Sequence, residues 1–212
     1  MKEITHHLPE WLVRSYAAGS LGHAFSLVVA THVSQCDECR ARLEAEELVG
    51  GVVLETLEAV EASDDLRARV FDGLDEIVAP APPAPQKAGI YPGALIAEMG
   101  SDTPRWRSLG GGIRQAILSA DKEGSARLLY IPPGMAVPDH SHTGLELTLV
   151  LQGSFSDETG EYGVGDVEVA EDDLDHTPIA GMGEACICLA ATSAPLKFNG
   201  LLPRLLQPIF RI

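Results

Sequence analysis

Two groups of residues in this chain have the types and spacing of metal ligands. The segment THVSQCDEC, at 31–39, carries H-x3-C-x2-C as His32, Cys36 and Cys39. On a helix turning about 100° per residue, His32 and Cys36 lie one turn apart and Cys39 follows within another, so the three converge on one face. One imidazole and two thiolates suit tetrahedral zinc, and a closed structural site then needs a fourth protein donor. The candidates are His6, His7 and His23, of which His23 reads as structural, since it has no partner in register. A thioredoxin-type redox pair would sit after a strand at a helix start, a context this region lacks. The plain alternative is a surface histidine beside two buried thiols. The second group lies in GMAVPDHSHTGLELTLVLQG, where Gly134, His140, His142, Glu146 and Gly153 are spaced G-x5-H-x-H-x3-E-x6-G. Residues two apart on a strand face the same way, so His140, His142 and Glu146 can point together into a barrel interior and await a further ligand. Cys186 and Cys188 also alternate along a strand-like run, which puts both thiols on one side, either as small core residues or as a redox pair near the barrel metal.

The elements that must hold these residues change character partway along the chain. Apolar residues recur at helical spacing over 8–18, 21–33, 43–57 and 66–78, with Gly50-Gly51 as the place for a kink. PAPPAP at 80–85 can neither continue a helix nor supply sheet donors, and reads as an extended spacer. Beyond it come short β-type runs at 113–119, 126–131, 145–151, 166–170 and 185–191, broken by Gly, Pro and Asp and without helices between them. The expected class is a two-domain α + β chain: an all-α domain at 1–79, a Pro-rich linker at 80–89 and an all-β barrel at 90–212. Trp106 reads as packing at the barrel edge, and the acidic run 171–175 as a solvated turn.

Composition narrows the partners. The 212 residues hold 15 Lys and Arg against 31 Asp and Glu, a net charge of −16, which removes the phosphate attraction that direct nucleic-acid binding needs. The apolar run at 25–30 is too short to span a bilayer and the N-terminus lacks the regions of a signal peptide, so the expected location is the cytoplasm.

The spacing from Gly134 to Gly153 matches the first cupin motif at every fixed position. The second cupin motif then supplies His176, preceded by Gly165, while Glu171, Asp173 and Ala180 replace its usual proline, glycine and asparagine. Three histidines and a glutamate suit Zn, Fe(II), Mn or Ni, and spacing alone does not choose. The N-terminal segment resembles the zinc-binding anti-sigma domain, with its H-x3-C-x2-C on the second helix and an upstream histidine; that resemblance selects His7 as the fourth ligand, with His6 the runner-up. With both parts, and with GGGIRQAIL, CICLAATSAPLKFN and the terminal IFRI, the chain is similar almost throughout to the ChrR-type anti-sigma factors. The resemblance implies zinc in both sites, two per chain: His7, His32, Cys36 and Cys39 in one, His140, His142, Glu146 and His176 in the other. It implies a 1:1 complex with an extracytoplasmic-function-type sigma factor, held inactive by the helical domain and freed when the cupin domain responds to singlet oxygen or related oxidants. No catalytic residue is expected. The competing class is a metal-dependent cupin oxygenase or isomerase whose helices serve assembly, and a sigma-factor gene next to this one separates the two.

Overall fold

The computed structural model describes residues 3–74, 89–137, 140–141, 144–171, 175–194 and 197–198. Four helices come first: α1 (Glu10–Ala17), α2 (His23–Val33), α3 (Asp37–Glu55) and α4 (Asp64–Leu74). A fifth, α5 (Gly93–Met99), follows the spacer and departs from the all-strand expectation for that part of the chain. Pro92 opens α5, Gly100 at φ +61° closes it, and fully buried Leu95 anchors it beside α2. The ladder of α3 runs unbroken through Gly50-Gly51.

The strands are β1 (Arg107–Gly110), β2 (Ile113–Ala120), β3 (Ser125–Ile131), β4 (His140–Ser141), β5 (Glu146–Gln152), β6 (Ser154–Ser156), β7 (Glu161–Gly163), β8 (Val167–Ala170), β9 (Asp175–His176), β10 (Ile179–Ala180), β11 (Cys186–Thr192) and β12 (Lys197–Phe198). All pair antiparallel, in a six-stranded sheet β1-β2-β3-β11-β5-β8 and two three-stranded sheets, β10-β6-β7 and β12-β4-β9. This is the antiparallel cupin architecture expected from the sequence.

Register assigns the two faces of the large sheet different work. Leu128 pairs with Leu189, Leu189 with Leu149 and Leu149 with Val167, so these four share one face. That face packs on α2, and a single apolar cluster joins Phe25, Val28 and Val29 to these sheet residues and, on the other side of α2, to Leu8, Leu12 and Leu43. Eight of the 11 residues of α2 are buried, because the helix lies between two layers rather than on a surface. The opposite face of the sheet carries the polar set: Arg127 pairs with Ala190, Ala190 with Thr148 and Thr148 with Glu168, and Arg127, Thr148 and Glu168 are buried. Trp106 packs edge-on against Tyr130 with 6.2 Å between centroids, as the edge-packing reading anticipates.

Candidate metal centres

His32 is in the last turn of α2, and the chain then breaks rather than continuing as one helix through the cysteines. Cys36 is the N-cap of α3, at φ −107° and ψ 108°, and its Sγ accepts the Cys39 N–H at 3.4 Å. The thiol caps the helix as a serine oxygen would, with Asp37 and Glu38 in the first turn complementing the dipole. The expectation of one helical face is corrected accordingly: His32 comes from one helix end, Cys36 and Cys39 from the start of the next. Their convergence is unaffected, since the two ends abut.

His7, His32, Cys36 and Cys39 each offer a donor atom, and all four donors lie within 4.8 Å of one another. His7 Nδ1 is 3.3 Å from Cys36 Sγ and 3.7 Å from Cys39 Sγ. With Zn–N of about 2.0 Å and Zn–S of about 2.3 Å, a tetrahedral ion has N···S edges of about 3.5 Å, which these two distances bracket. His32 Nδ1 bonds the Gly165 carbonyl at 3.0 Å, while its Nε2 is buried with no hydrogen-bond partner among the described residues. An orphaned imidazole nitrogen beside two thiols is costly unless an ion engages it. Burial is the main cause that pushes the His32 pKa down to about 4, against the Gly165 bond, so the ring is neutral and able to ligate. Burial likewise pushes the Cys39 thiol up to about 11, so the thiolate requires the compensating charge of a cation. The remaining nitrogen of His7, Nε2, faces Glu38 Oε2 at 3.1 Å, the carboxylate–histidine pairing that orients a metal-bound ring. The residues fit zinc.

The other upstream histidines are elsewhere. His6 packs at a tilt against Tyr162 with 4.5 Å between centroids, and His23 pairs with Glu98 at 3.0 Å.

In the barrel, His176 and Glu146 are buried, and the Glu146 charge acts on His176. His140 pairs with His176 across β4 and β9. His142 lies outside the described residues, as do 172–174 of the acidic run and 80–88 of the expected linker, while Asp175, read as part of a turn, opens β9. His176 Nδ1 meets Asp157 Oδ2 at 2.7 Å and Glu168 Oε1 at 3.3 Å, and these three form the second cluster of close donor atoms among the described residues. Burial works against a protonated His176, but the bonds to Glu168 and Asp157 outweigh it and hold its pKa up at about 9. Burial also raises Glu168 to about 7. The two carboxylates grip Nδ1 and turn Nε2 away from themselves, the arrangement expected behind a metal-ligating histidine. Sequence reasoning missed both. The signal for Glu168 was a lone acid between Val167 and Val169, a polar residue at an inward strand position; Asp157 sits in a turn and gave none.

Cys186 and Cys188 are buried on the polar side of β11. The contact with Cys186, then burial, pushes the Cys188 thiol well above its ordinary range, so it stays protonated and weakly nucleophilic.

Fold and site together define a cupin protein whose helical part gathers two histidines and two cysteines in one cluster. Residues 98–195 match the ChrR cupin-like domain family. The anti-sigma-E factor ChrR of Cereibacter sphaeroides is 54% identical over 216 residues, 99% of each chain. The anti-sigma ChrR chain crystallised in complex with SigE of Rhodobacter sphaeroides superposes with a TM-score of 0.77 at 53% identity, covering 90% of this chain and 99% of that one. This chain belongs to the ChrR family of anti-sigma factors, which are regulators and not enzymes.

Proposed function

We propose that this chain inhibits an extracytoplasmic-function-type sigma factor in the cytoplasm as a 1:1 complex, through zinc-bearing residues 1–79, and that the cupin part, 90–212, holds a second zinc and releases sigma in response to singlet oxygen or related oxidants. The observation that carries the inhibitory half is α4. This helix has 11 residues and none is buried, yet Leu66, Val70, Phe71 and Leu74 recur on it at helical spacing. An isolated helix of that length is marginal in water, so its apolar face calls for a partner. The end of α3 exposes Val52, Val53 and Leu54 as well. A crystallised relative in complex with SigE supports a sigma factor as that partner. Acidic helices also suit the basic surfaces that sigma factors turn toward DNA. No helix among the described residues is long and apolar enough to cross a membrane.

The test is binding to purified sigma by calorimetry. Val70→Asp with Phe71→Asp is expected to weaken binding at least tenfold, about 1.4 kcal/mol or more, with the thermal midpoint unchanged, because both side chains are already exposed. Unchanged affinity would remove α4 from the interface.

A chain ending at residue 79 lacks the sheet that covers α2, so it is expected to inhibit sigma less tightly than the full chain and not to respond to oxidants. A sigma-driven reporter, read with and without singlet oxygen, distinguishes this from a truncated chain that fails to inhibit.

A further inference from the structure

We propose that the barrel turn joining β7 to β8, residues 163–167, positions two of the four donors of the helical metal centre, His7 and His32, and so makes the cupin barrel a structural part of that centre. The proposal rests on the assignment of His7, His32, Cys36 and Cys39 as one site. His32 is held directly: its Nδ1 bonds the Gly165 carbonyl at 3.0 Å, which fixes the ring so that Nε2 faces the thiols. His7 is held through its neighbour. Asp166 Oδ1 accepts the backbone N–H of Thr5 at 2.7 Å and of His6 at 2.8 Å, and Val167 N–H donates to the His6 carbonyl at 3.2 Å. His6 is therefore clamped at both ends of its backbone, one residue before the ligand. The other oxygen of Asp166 accepts Gly163 N–H at 2.8 Å, so one buried carboxylate ties the turn to itself and to the N-terminal segment at once.

Gly165 also has to be glycine for this docking. It sits at φ +91°, and a Cβ there would come within 2.6 Å of Ile4 Cδ1. The approach lets Ile4 lie directly on the turn. The contacts join residues 133 to 161 positions apart, and no chain connectivity would otherwise place them together. By linkage the coupling runs both ways: a bound ion favours the clamped turn as much as the clamped turn favours the ion.

The experiment follows zinc release from the full-length chain into a chromophoric chelator, with the phase that vanishes in Cys36→Ser assigned to the helical centre. Asp166→Ala is expected to accelerate that phase about tenfold, within the range for outer-shell changes. Ile4→Ala leaves every Asp166 bond in place and is expected to accelerate it to a smaller extent, which decides the matter should Asp166→Ala disturb the barrel. In the reverse direction, Cys36→Ser should speed hydrogen exchange at the Thr5, His6 and Val167 amides while β3 and β11 stay protected. Wild-type release rates in both Asp166→Ala and Ile4→Ala would overturn the proposal with the site assignment intact. A wild-type trace with no phase lost in Cys36→Ser would overturn the assignment, and this proposal with it.

Discussion

Cys36→Ser or Cys39→Ser is expected to strip zinc from the helical centre and abolish sigma inhibition. Structural zinc contributes an apparent 10 kcal/mol or more in finger peptides, on the order of the whole stability of a domain. The four donors tie the segment before α1, the end of α2 and the start of α3 at one point. Those joints orient α3, whose far end exposes the apolar residues proposed to meet sigma. Cys39 is fully buried and Cys36 nearly so, so a serine in place of either leaves the other thiol without the charge that would hold it as a thiolate. Metal analysis with a sigma-driven reporter checks the result. Full inhibition by a zinc-free variant would separate the metal from the inhibitory function.

The second large effect is expected in the barrel. His140→Ala, His142→Ala, Glu146→Ala or His176→Ala should leave sigma bound while blunting or abolishing its release. A signal moves the bound and free populations only through a difference in free energy between them, and about 3 kcal/mol of lost affinity raises dissociation more than a hundredfold. Oxidation of a ligand, or of Cys186 or Cys188, would change charge and volume inside a packed barrel. The opposite face of the same sheet packs on α2, so a strained strand bears directly on the helical part. Glu146→Ala also removes the charge that acts on buried Arg127, and His176→Ala leaves Asp157 and Glu168 facing one another without the imidazole between them, so the result rests on all four variants together. The readout is reporter induction with and without singlet oxygen, with Cys186→Ser/Cys188→Ser alongside. Normal induction in every ligand variant would move the sensing step to Cys36 and Cys39.

Much of this was legible in the residues, and what was not has physical reasons. Helical spacing of apolar residues located α1 to α4, and short β-type runs broken by Gly, Pro and Asp located β2, β3, β5, β8 and β11. The short α5 carries too few turns for a period to show. The break between His32 and Cys36 escaped because a cysteine is an unusual N-cap and the i, i+4 spacing reads as continuous helix. Among His6, His7 and His23, the residues alone did not choose a fourth donor; the clamp on His6 by Asp166 leaves His7 facing the thiols. The carboxylates behind His176 come from a turn and a strand 11 residues apart and meet only through the antiparallel fold. That α2 is apolar all round was visible in AFSLVV, but which sheet would cover its second face was not.

The most direct measurement is co-expression of the full chain with its sigma factor, followed by size exclusion and zinc analysis of the complex. The account predicts a single 1:1 species carrying zinc, with α4 protected from hydrogen exchange relative to the free chain. Sigma eluting apart from a zinc-loaded, folded chain would contradict it.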